Sequence, residues 1–348
     1  MSQVISPPSL IATKLHPPRL TAQHVPRPRL IERLNKHRGR ALTLVCAPAG
    51  SGKSTLLSEW LDSTTIPGAW VSLDEHDNEP VTFLNYVLAA VRMMFPTLSL
   101  STRDLVRALI PPPLENLATS LSNDLAQIDT DFLLVLDDYH LITDPQIDAL
   151  LLPLLQHPPR NMHLAVATRS EPAWPLAAFR ARGQMAELRF GDLQFTVEES
   201  AAFLRNALDD ALDQDLVTVL HDESEGWAAG LQLMSLVLAG RSGERPDLLR
   251  ELGVSEDIGA YLFEEVFAWQ SPAVQDRLLR LSILGRFSGP LCEAICNGDG
   301  ETDEPLGWGA AFLGQLAQRN LFVIVLDVRH EFYRFHHLFQ RFLATRLQ

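Results

Sequence analysis

Cysteine is scarce in this chain of 348 residues: Cys46, Cys292 and Cys296 are the whole supply. Three thiols at those spacings make neither a disulfide framework nor a zinc pattern, and an odd number suits a reducing compartment. Long hydrophobic runs are missing too. No stretch approaches the roughly 18 uninterrupted apolar residues of a membrane span, and Met1 to Leu15 lacks the apolar region of a signal peptide. Basic residues thin out beyond position 40. Residues 1–40 hold eight Lys/Arg against the single acid Glu32, leaving 21 basic and 42 acidic residues in the rest. A body that acidic repels a nucleic-acid backbone. Hydrophobic content of 46% and charged content of 21% exclude disorder as the default. The expectation is a soluble, cytoplasmic protein of two or three domains.

What is present is concentrated in one octapeptide, Ala47-Pro48-Ala49-Gly50-Ser51-Gly52-Lys53-Ser54, set between an apolar strand-like run (Ala41 to Cys46) and a helix-like run (Thr55 to Leu61). Small residues let successive backbone N–H groups close around phosphate oxygens, and a helix N-terminus adds favourable charge. Lys53 is expected to reach the β- and γ-phosphates and the Ser54 hydroxyl to ligate Mg²⁺. The strict pattern begins with Gly; Ala47 is tolerable if it keeps a negative φ. With a nucleotide in view, the basic leader is expected to pack on the acidic body and border that site.

A Pro-rich stretch, residues 7–28, ends in a short helix, Arg29 to Lys36. Strands then alternate with helices: Ala41–Cys46, Ala69–Leu73, Phe132–Leu136, His163–Thr168 and a further Met185–Phe190 as strands; Val81–Met94, Leu114–Ile128 and Pro145–Leu155 as helices. That alternation predicts a parallel α/β sheet with helices on both faces and ligand at the strands' carboxyl ends. From Thr196 the pattern is helical only. Thr196 and Glu199 form a capping box ahead of Ala201–Leu208, opening a helical unit that runs to about Trp269. After the helix Ala273–Leu284, the chain closes as helix Ala310–Gln318, strand Leu321–Leu326, turn, strand Phe332–Phe335 and helix His336–Leu347. This predicts a winged-helix domain. The expected segments are a leader (1–40), a phosphate-loop domain (41–195), an all-α arm (196–270) and a winged helix (271–348).

A phosphate cradle needs a carboxylate at the end of a neighbouring strand, because Mg²⁺ takes oxygen ligands. Asp137 directly follows Phe132-Leu133-Leu134-Val135-Leu136, and Asp138 comes next, placed to orient or deprotonate an attacking water. Arg169 ends the following strand, where a fixed positive charge senses a terminal phosphate. Arg180 and Arg182 follow and could act as fingers for a neighbouring subunit.

These features in this order resemble the signal-transduction ATPases with numerous domains (the STAND class of P-loop NTPases), and in detail the MalT-like, LuxR-type group of large ATP-binding transcriptional regulators. The likeness rests on Thr13-Lys14-Leu15 with Val25-Pro26-Arg27-Pro28-Arg29-Leu30, and on Ala69-Trp70-Val71-Ser72-Leu73-Asp74 with Asp77-Asn78. It extends through Leu136-Asp137-Asp138-Tyr139-His140, Thr168-Arg169-Ser170-Glu171-Pro172, Phe179-Arg180-Ala181-Arg182-Gly183 and Asp192-Leu193-Gln194-Phe195-Thr196. Gly226-Trp227-Ala228-Ala229-Gly230-Leu231 and Tyr333-Arg334-Phe335-His336-His337-Leu338-Phe339 complete it. The resemblance implies an ATP/ADP-binding switch with slow hydrolysis, held closed by ADP as a monomer and opening to oligomerise with ATP plus an inducer. Val25 and Arg27 would border the adenine; Gly50, Ser51, Gly52, Lys53, Ser54 and Thr55 would hold the phosphates. Asp137 would hold Mg²⁺, Asp138 would be the acid/base, Arg169 the sensor, and His336 would touch the β-phosphate of ADP. Gln194 stands where members of the resembled group often carry arginine, which puts any salt bridge there in doubt.

The chain stops at Gln348 inside a helix; it is expected to be either a short homologue or, as that ending favours, a segment cut ahead of the sensor and helix-turn-helix domains that the resemblance implies for inducer and DNA. Three other readings stay open from sequence: a fast mechanochemical ATPase, a non-hydrolysing ADP-bound scaffold, and direct DNA binding by the terminal winged helix.

Overall fold

The computed structural model describes residues 10–347 apart from 109, 111, 209–212, 240–255, 298–304 and 306. Part of the helical unit expected up to Trp269 therefore lies outside the described residues. The chain divides into two compact units: residues 1–20, 26–46 and 53–189 form the first, and residues 21–25, 47–52 and 190–348 the second.

The first unit is built on five parallel strands: β1 (Leu42–Cys46), β2 (Gly68–Ser72), β3 (Phe132–Asp137), β4 (Met162–Thr168) and β5 (Met185–Arg189), in the order β2-β3-β4-β1-β5. Every residue of β1, β3 and β4 is buried, because these strands are covered on both faces; their sequences accordingly read as unbroken apolar runs. Helix Pro80–Met94 starts one residue earlier than the apolar pattern suggests, and Pro145–Gln156 starts where it does. Each opens on proline after an acidic cap: Glu79 accepts from the amides of Val81 (3.0 Å) and Thr82 (2.6 Å), and Asp144 from that of Gln146 (2.8 Å). Leu117, Leu121 and Leu125 supply the buried stripe of the helix Leu114–Ala126. At the β5 edge, Glu187 and Glu171 share Arg180 and Arg189, and such charges keep an open edge from pairing further.

The strand order decides what stands where. β4 lies between β3 and β1, so its last residue and Arg169 come between the strand that feeds the phosphate loop and the strand that ends in Asp137.

The leader is fastened to this unit by one buried cation. Lys14 lies 4.4 Å above the Tyr86 ring and pairs with Asp74 (3.1 Å) and with Asp77, which is completely buried. The two aspartates also cap the turn Glu75–Asn78, Asp77 accepting from the Asp74 amide at 2.8 Å. Ser58 Oγ donates to the Pro18 carbonyl (2.8 Å) and the Ile11 amide to the Tyr86 hydroxyl (3.2 Å).

The second unit begins with the expected capping box: the Thr196 amide donates to Glu199 (3.0 Å) and the Glu199 amide to the Thr196 hydroxyl (3.2 Å). The helix starts at Val197, and Gln214–Ser224 and Ala228–Ala239 pack beside it. Beyond Pro272–Leu281, Gly289–Asn297 and Trp308–Gln318, an antiparallel sheet forms from β6 (Phe287–Ser288), β7 (Val323–Val325) and β8 (Phe332–Phe335), in the order β6-β8-β7, before the last helix His337–Leu347. Asp327 shapes the wing turn by accepting from the amides of Arg329 (3.0 Å), Glu331 (2.9 Å) and Phe332 (2.7 Å), with His330 left-handed. This is the helical arm and winged helix expected from sequence, with the two-residue β6 added.

Lys14→Ala leaves Asp77 buried without its cation and should destabilise the protein by about 3 kcal/mol. Urea unfolding measures this; a midpoint within error of wild type would show that the leader is not anchored through Lys14.

Candidate nucleotide site

In the first unit, Lys53, Ser54, Asp137, Asp138 and Arg169 come together at the carboxyl ends of the strands. Ser54, in the first turn of the helix Lys53–Ser63, donates its hydroxyl to Asp137 Oδ1 at 2.8 Å. Asp137 ends β3 and is almost fully buried, as is Lys53. Burial raises the Asp137 carboxyl to about 7, with the Asp138 charge adding to it and the Ser54 hydroxyl and Lys53 opposing it. Burial likewise lowers Lys53 to about 8, helped by the Arg169 charge and resisted by Asp138 and Asp137.

Asp138 turns the chain out of the strand with φ 57°, a left-handed conformation that aspartate tolerates better than most residues, and its side chain is 42% exposed. His140 follows in the single turn Tyr139–Leu141, its Nδ1 3.9 Å from Asp138 Oδ1. Burial, together with the charges of Arg169 and Lys53, lowers His140 to about 3, so it stands neutral beside the carboxylate.

One residue that the sequence did not single out ties this corner together. Asp148 Oδ1 accepts both the Tyr139 hydroxyl (2.6 Å) and the Trp174 indole N–H (2.7 Å), joining the turn after β3 to the segment after β4. Of the other expected residues in this unit, Arg27 is buried and its amide donates to Glu59 (2.9 Å), while Thr55 is exposed. Arg180 is engaged by Glu171 and Glu187, and Arg182 is exposed.

The second unit contains the loop 47–52. Gly50 and Gly52 have φ of 65° and 78°, and Ala47 is not among the described residues with positive φ, so its methyl is accommodated. The loop's carbonyls are held from the Gly226-Trp227-Ala228-Ala229 segment. The Trp227 indole donates to the Ala49 carbonyl and the Ala229 amide to the Gly50 carbonyl, both at 3.0 Å. A Cβ on Gly50 would lie 2.4 Å from Ala229 Cβ and 2.8 Å from the Tyr261 hydroxyl, so only glycine fits.

His336 is completely buried, with its ring centre 5.8 Å from that of Trp227. Its Nε2 lies 2.9 Å from the Ser224 carbonyl; a carbonyl only accepts, so Nε2 carries the proton. Nδ1 is left as a lone pair with no partner among the described residues. Burial lowers the ring to about 4 against the raising influence of Glu225 and the Ser224 carbonyl, so the imidazole is neutral. Glu225, left-handed at φ 48°, pairs through both oxygens with Arg334 (2.7 Å each) and accepts the His337 amide (2.9 Å), fixing the strand end that presents His336. Gln194 donates to the Glu225 carbonyl at 2.7 Å. Val25 is buried in this unit's apolar core.

Residues 263–348 match the family model of the MalT winged helix domain. The HTH-type transcriptional regulator MalT of Klebsiella pneumoniae is 32% identical over 341 residues, covering 97% of this chain and 37% of that protein. The chain is therefore similar to the MalT-like group over nearly its whole length. The same region of the MalT-like chain is similar to the serine/threonine-protein kinase PknK of Mycobacterium tuberculosis, at 32% identity over 98% of this chain and 30% of the kinase. It thus spans about a third of the length of the curated relatives it matches. A Walker-type ATPase of Pyrococcus abyssi shares the fold with a TM-score of 0.64 at 14% identity, over 91% of this chain and 95% of that one.

Asp148, Trp227, Ala229, Tyr261 and Glu225 were missed as site residues of this MalT-like core. Trp227 and Ala229 lay inside a string used for the resemblance, which signalled membership without a role; the rest act over long sequence separations that leave no local pattern.

Trp227→Phe keeps the ring but strips the Ala49 carbonyl of its donor. A loss of about 1–2 kcal/mol and faster amide exchange across 47–52 are expected; unchanged exchange there would deny that the indole secures the loop. For Asp137 the folded carboxyl titrates above its unfolded value, so its stabilising contribution is present below pH 4 and lost as pH rises through 7. Asp137→Asn should therefore raise the Tm of nucleotide-free protein at pH 8 by several degrees, roughly 2 kcal/mol, with the gain shrinking at pH 5. A gain equal at both pH values would refute the assigned titration.

Proposed function

We propose that this chain is the nucleotide-binding core of a regulatory switch, which binds ATP and ADP with Mg²⁺ and hydrolyses ATP slowly. The observation that carries the reading is the Ser54–Asp137 hydrogen bond beside buried Lys53: a hydroxyl, a carboxylate and a cation gathered out of water where the strands end. Buried charges are costly even when gathered together, and a magnesium–phosphate group would offset them. The residues fit that group. Asp137 and Ser54 offer oxygen ligands, and in the second unit the buried Ser51 hydroxyl and His336 Nδ1 have no partner among the described residues. Bound Mg²⁺ would supply charge neutralisation for the phosphates.

In this reading Gly50, Ser51, Gly52, Lys53, Ser54 and Thr55 take the phosphates, Val25 and Arg27 border the base, Asp138 is the acid/base and Arg169 senses the terminal phosphate. The Asp138 side chain is 42% exposed, so the water that hydrolysis needs can reach it. That a transcriptional regulator and a protein kinase share this region also favours a controlling module over an output of its own. ADP would hold a resting monomer; ATP with an inducer would open it to self-association. Inverting a 1:99 population takes about 5.5 kcal/mol of differential binding. Inducer and DNA would engage parts of the whole protein outside this segment.

Two variants separate binding from turnover. Lys53→Ala should abolish most ATP and ADP binding in calorimetry, and Asp138→Asn should bind as wild type with hydrolysis reduced at least about tenfold. Full ATP affinity in the first, or wild-type turnover in the second, would remove the respective role. His336 gives a further check. For Nδ1 to donate to a phosphate oxygen the ring must gain a proton, so ADP binding at pH 7 should take one up, seen as a buffer-dependent enthalpy. His336→Ala should abolish that uptake and weaken ADP more than ATP; equal weakening without a change in proton uptake would show that His336 does not read ADP.

A further inference from the structure

Asp148 is half-buried in the first turn of the helix Pro145–Gln156, where the positive end of the helix favours its charge. Its Oδ1 accepts from two donors at once, the Tyr139 hydroxyl at 2.6 Å and the Trp174 indole N–H at 2.7 Å. The two rings also pack on each other, with centroids 5.1 Å apart. Burial pushes the Tyr139 phenol far above its ordinary value, with the Asp148 hydrogen bond and charge adding to it, so the hydroxyl stays a donor. Tyr139 and Trp174 are both buried, so removing the shared oxygen strands both donors.

Each donor belongs to a segment that carries one charged group of the candidate site. Tyr139 directly follows Asp138, whose left-handed φ of 57° turns the chain out of β3. Trp174 closes the connection that begins with Arg169, directly after β4. The other fastenings of the two segments do not join them to each other. Asn78 holds the loop beyond the turn, donating to the Leu141 carbonyl (2.8 Å) and accepting from the amides of Thr143 (2.6 Å) and Asp144 (3.0 Å). After β4, the Thr168 hydroxyl donates to the Ser170 carbonyl (2.7 Å) and Glu171 pairs with Arg180 and Arg189. Among these polar fastenings, Asp148 alone bridges the two segments.

We propose that Asp148 is a positioning residue for ATP hydrolysis, setting where Asp138 stands relative to Arg169; this role rests on those given to the two residues in the proposed switch. One oxygen gripping both connections makes a shift of either a shift of the other, so the group that orients water and the group that meets the terminal phosphate keep one geometry. Nucleotide binding does not depend on this link. Ser54 bonds Asp137 directly, and the loop 141–144 keeps its hold on Asn78. The chemical step, which is sensitive to small misplacements of the reacting groups, does depend on it.

Calorimetry and steady-state ATP hydrolysis by the full chain test this. Asp148→Ala should bind ATP within about twofold of wild type yet turn it over roughly ten- to a hundredfold more slowly. Asp148→Asn keeps an oxygen with two lone pairs and should recover most of that loss. In a chain already carrying Asp138→Asn, Asp148→Ala should slow turnover no further, because a positioning residue acts through the group it places. Should Asp148→Ala fail to fold, Tyr139→Phe and Trp174→Phe each remove a single donor, and each should lower kcat while keeping ATP affinity. The positioning role is overturned, with the switch left standing, by wild-type turnover in these variants, by equal losses of affinity and turnover, by an Asp148→Asn variant as slow as Asp148→Ala, or by a full further loss on top of Asp138→Asn. A wild-type rate in Asp138→Asn alone, or no hydrolysis by wild type, would instead remove the reading on which the role rests.

Discussion

The buried triad of Lys53, Ser54 and Asp137 is the constraint around which the first unit is organised. Water solvates an ammonium and a carboxylate far better than a packed interior does, so each is driven toward its neutral form: the lysine down to about 8, the carboxylate up to about 7. Arg169 and Asp138 reinforce this, because each lies near the group of its own sign. A fold devoted only to stability would place apolar side chains here, since breaking even with a buried ion pair requires excellent geometry. Titratable groups shifted this far by burial cluster at functional sites. The strand order makes the arrangement possible by setting β4, and hence Arg169, between β1 and β3.

The second unit solves a different problem, that of holding short polar segments inside an aromatic core. Trp227 packs its ring against Phe322 (5.0 Å) and His336 while its N–H serves the Ala49 carbonyl. Gly226 permits this placement. It is left-handed, and a Cβ there would come within 2.6 Å of the Phe195 carbonyl. One residue earlier, Glu225 binds Arg334 and the His337 amide, so three consecutive residues connect the arm to the phosphate loop on one side and to the end of β8 on the other. A shift of this turn would therefore act on the loop carbonyls and on His336 together, which is the kind of shared element that coupling between a ligand and a conformational state requires.

Legibility in sequence followed from how local each feature is. β1, β3 and β4 are buried on both faces, so their uniform apolar runs were plain, and the capping box at Thr196 and Glu199 is a four-residue pattern that forms as written. The segments Ser101–Val106, Leu176–Ala181 and Phe287–Ser288 passed unnoticed because six residues or fewer complete too little of a period to show one. The phosphate loop, the paired aspartates and Arg169 were readable because their chemistry is carried by residue type at strand ends. Asp148 was not: nothing near it in sequence shows that Tyr139 and Trp174 both converge on one of its oxygens. Trp227 reads as ordinary core until its partner, 178 residues away, is known.

His336 shows where the two kinds of inference meet. Taken by itself it satisfies every expectation for a structural histidine, being buried, neutral and bonded to the Ser224 carbonyl. Yet a purely structural imidazole in an apolar core gains nothing from leaving Nδ1 without a partner, and an unpaired buried nitrogen costs about 1–3 kcal/mol. Phenylalanine would fill the same aromatic cluster without that penalty. Nδ1, which has no partner among the described residues, is the atom that a nucleotide would meet in the proposed switch. Because Nε2 already donates to a carbonyl, an anionic partner would have to bring the ring its second proton, which ties occupancy of the site to charge inside the winged-helix unit. A neutral donor would only complete the existing tautomer. The geometry of one hydrogen bond thus turns the identity of the ligand into a question about protons.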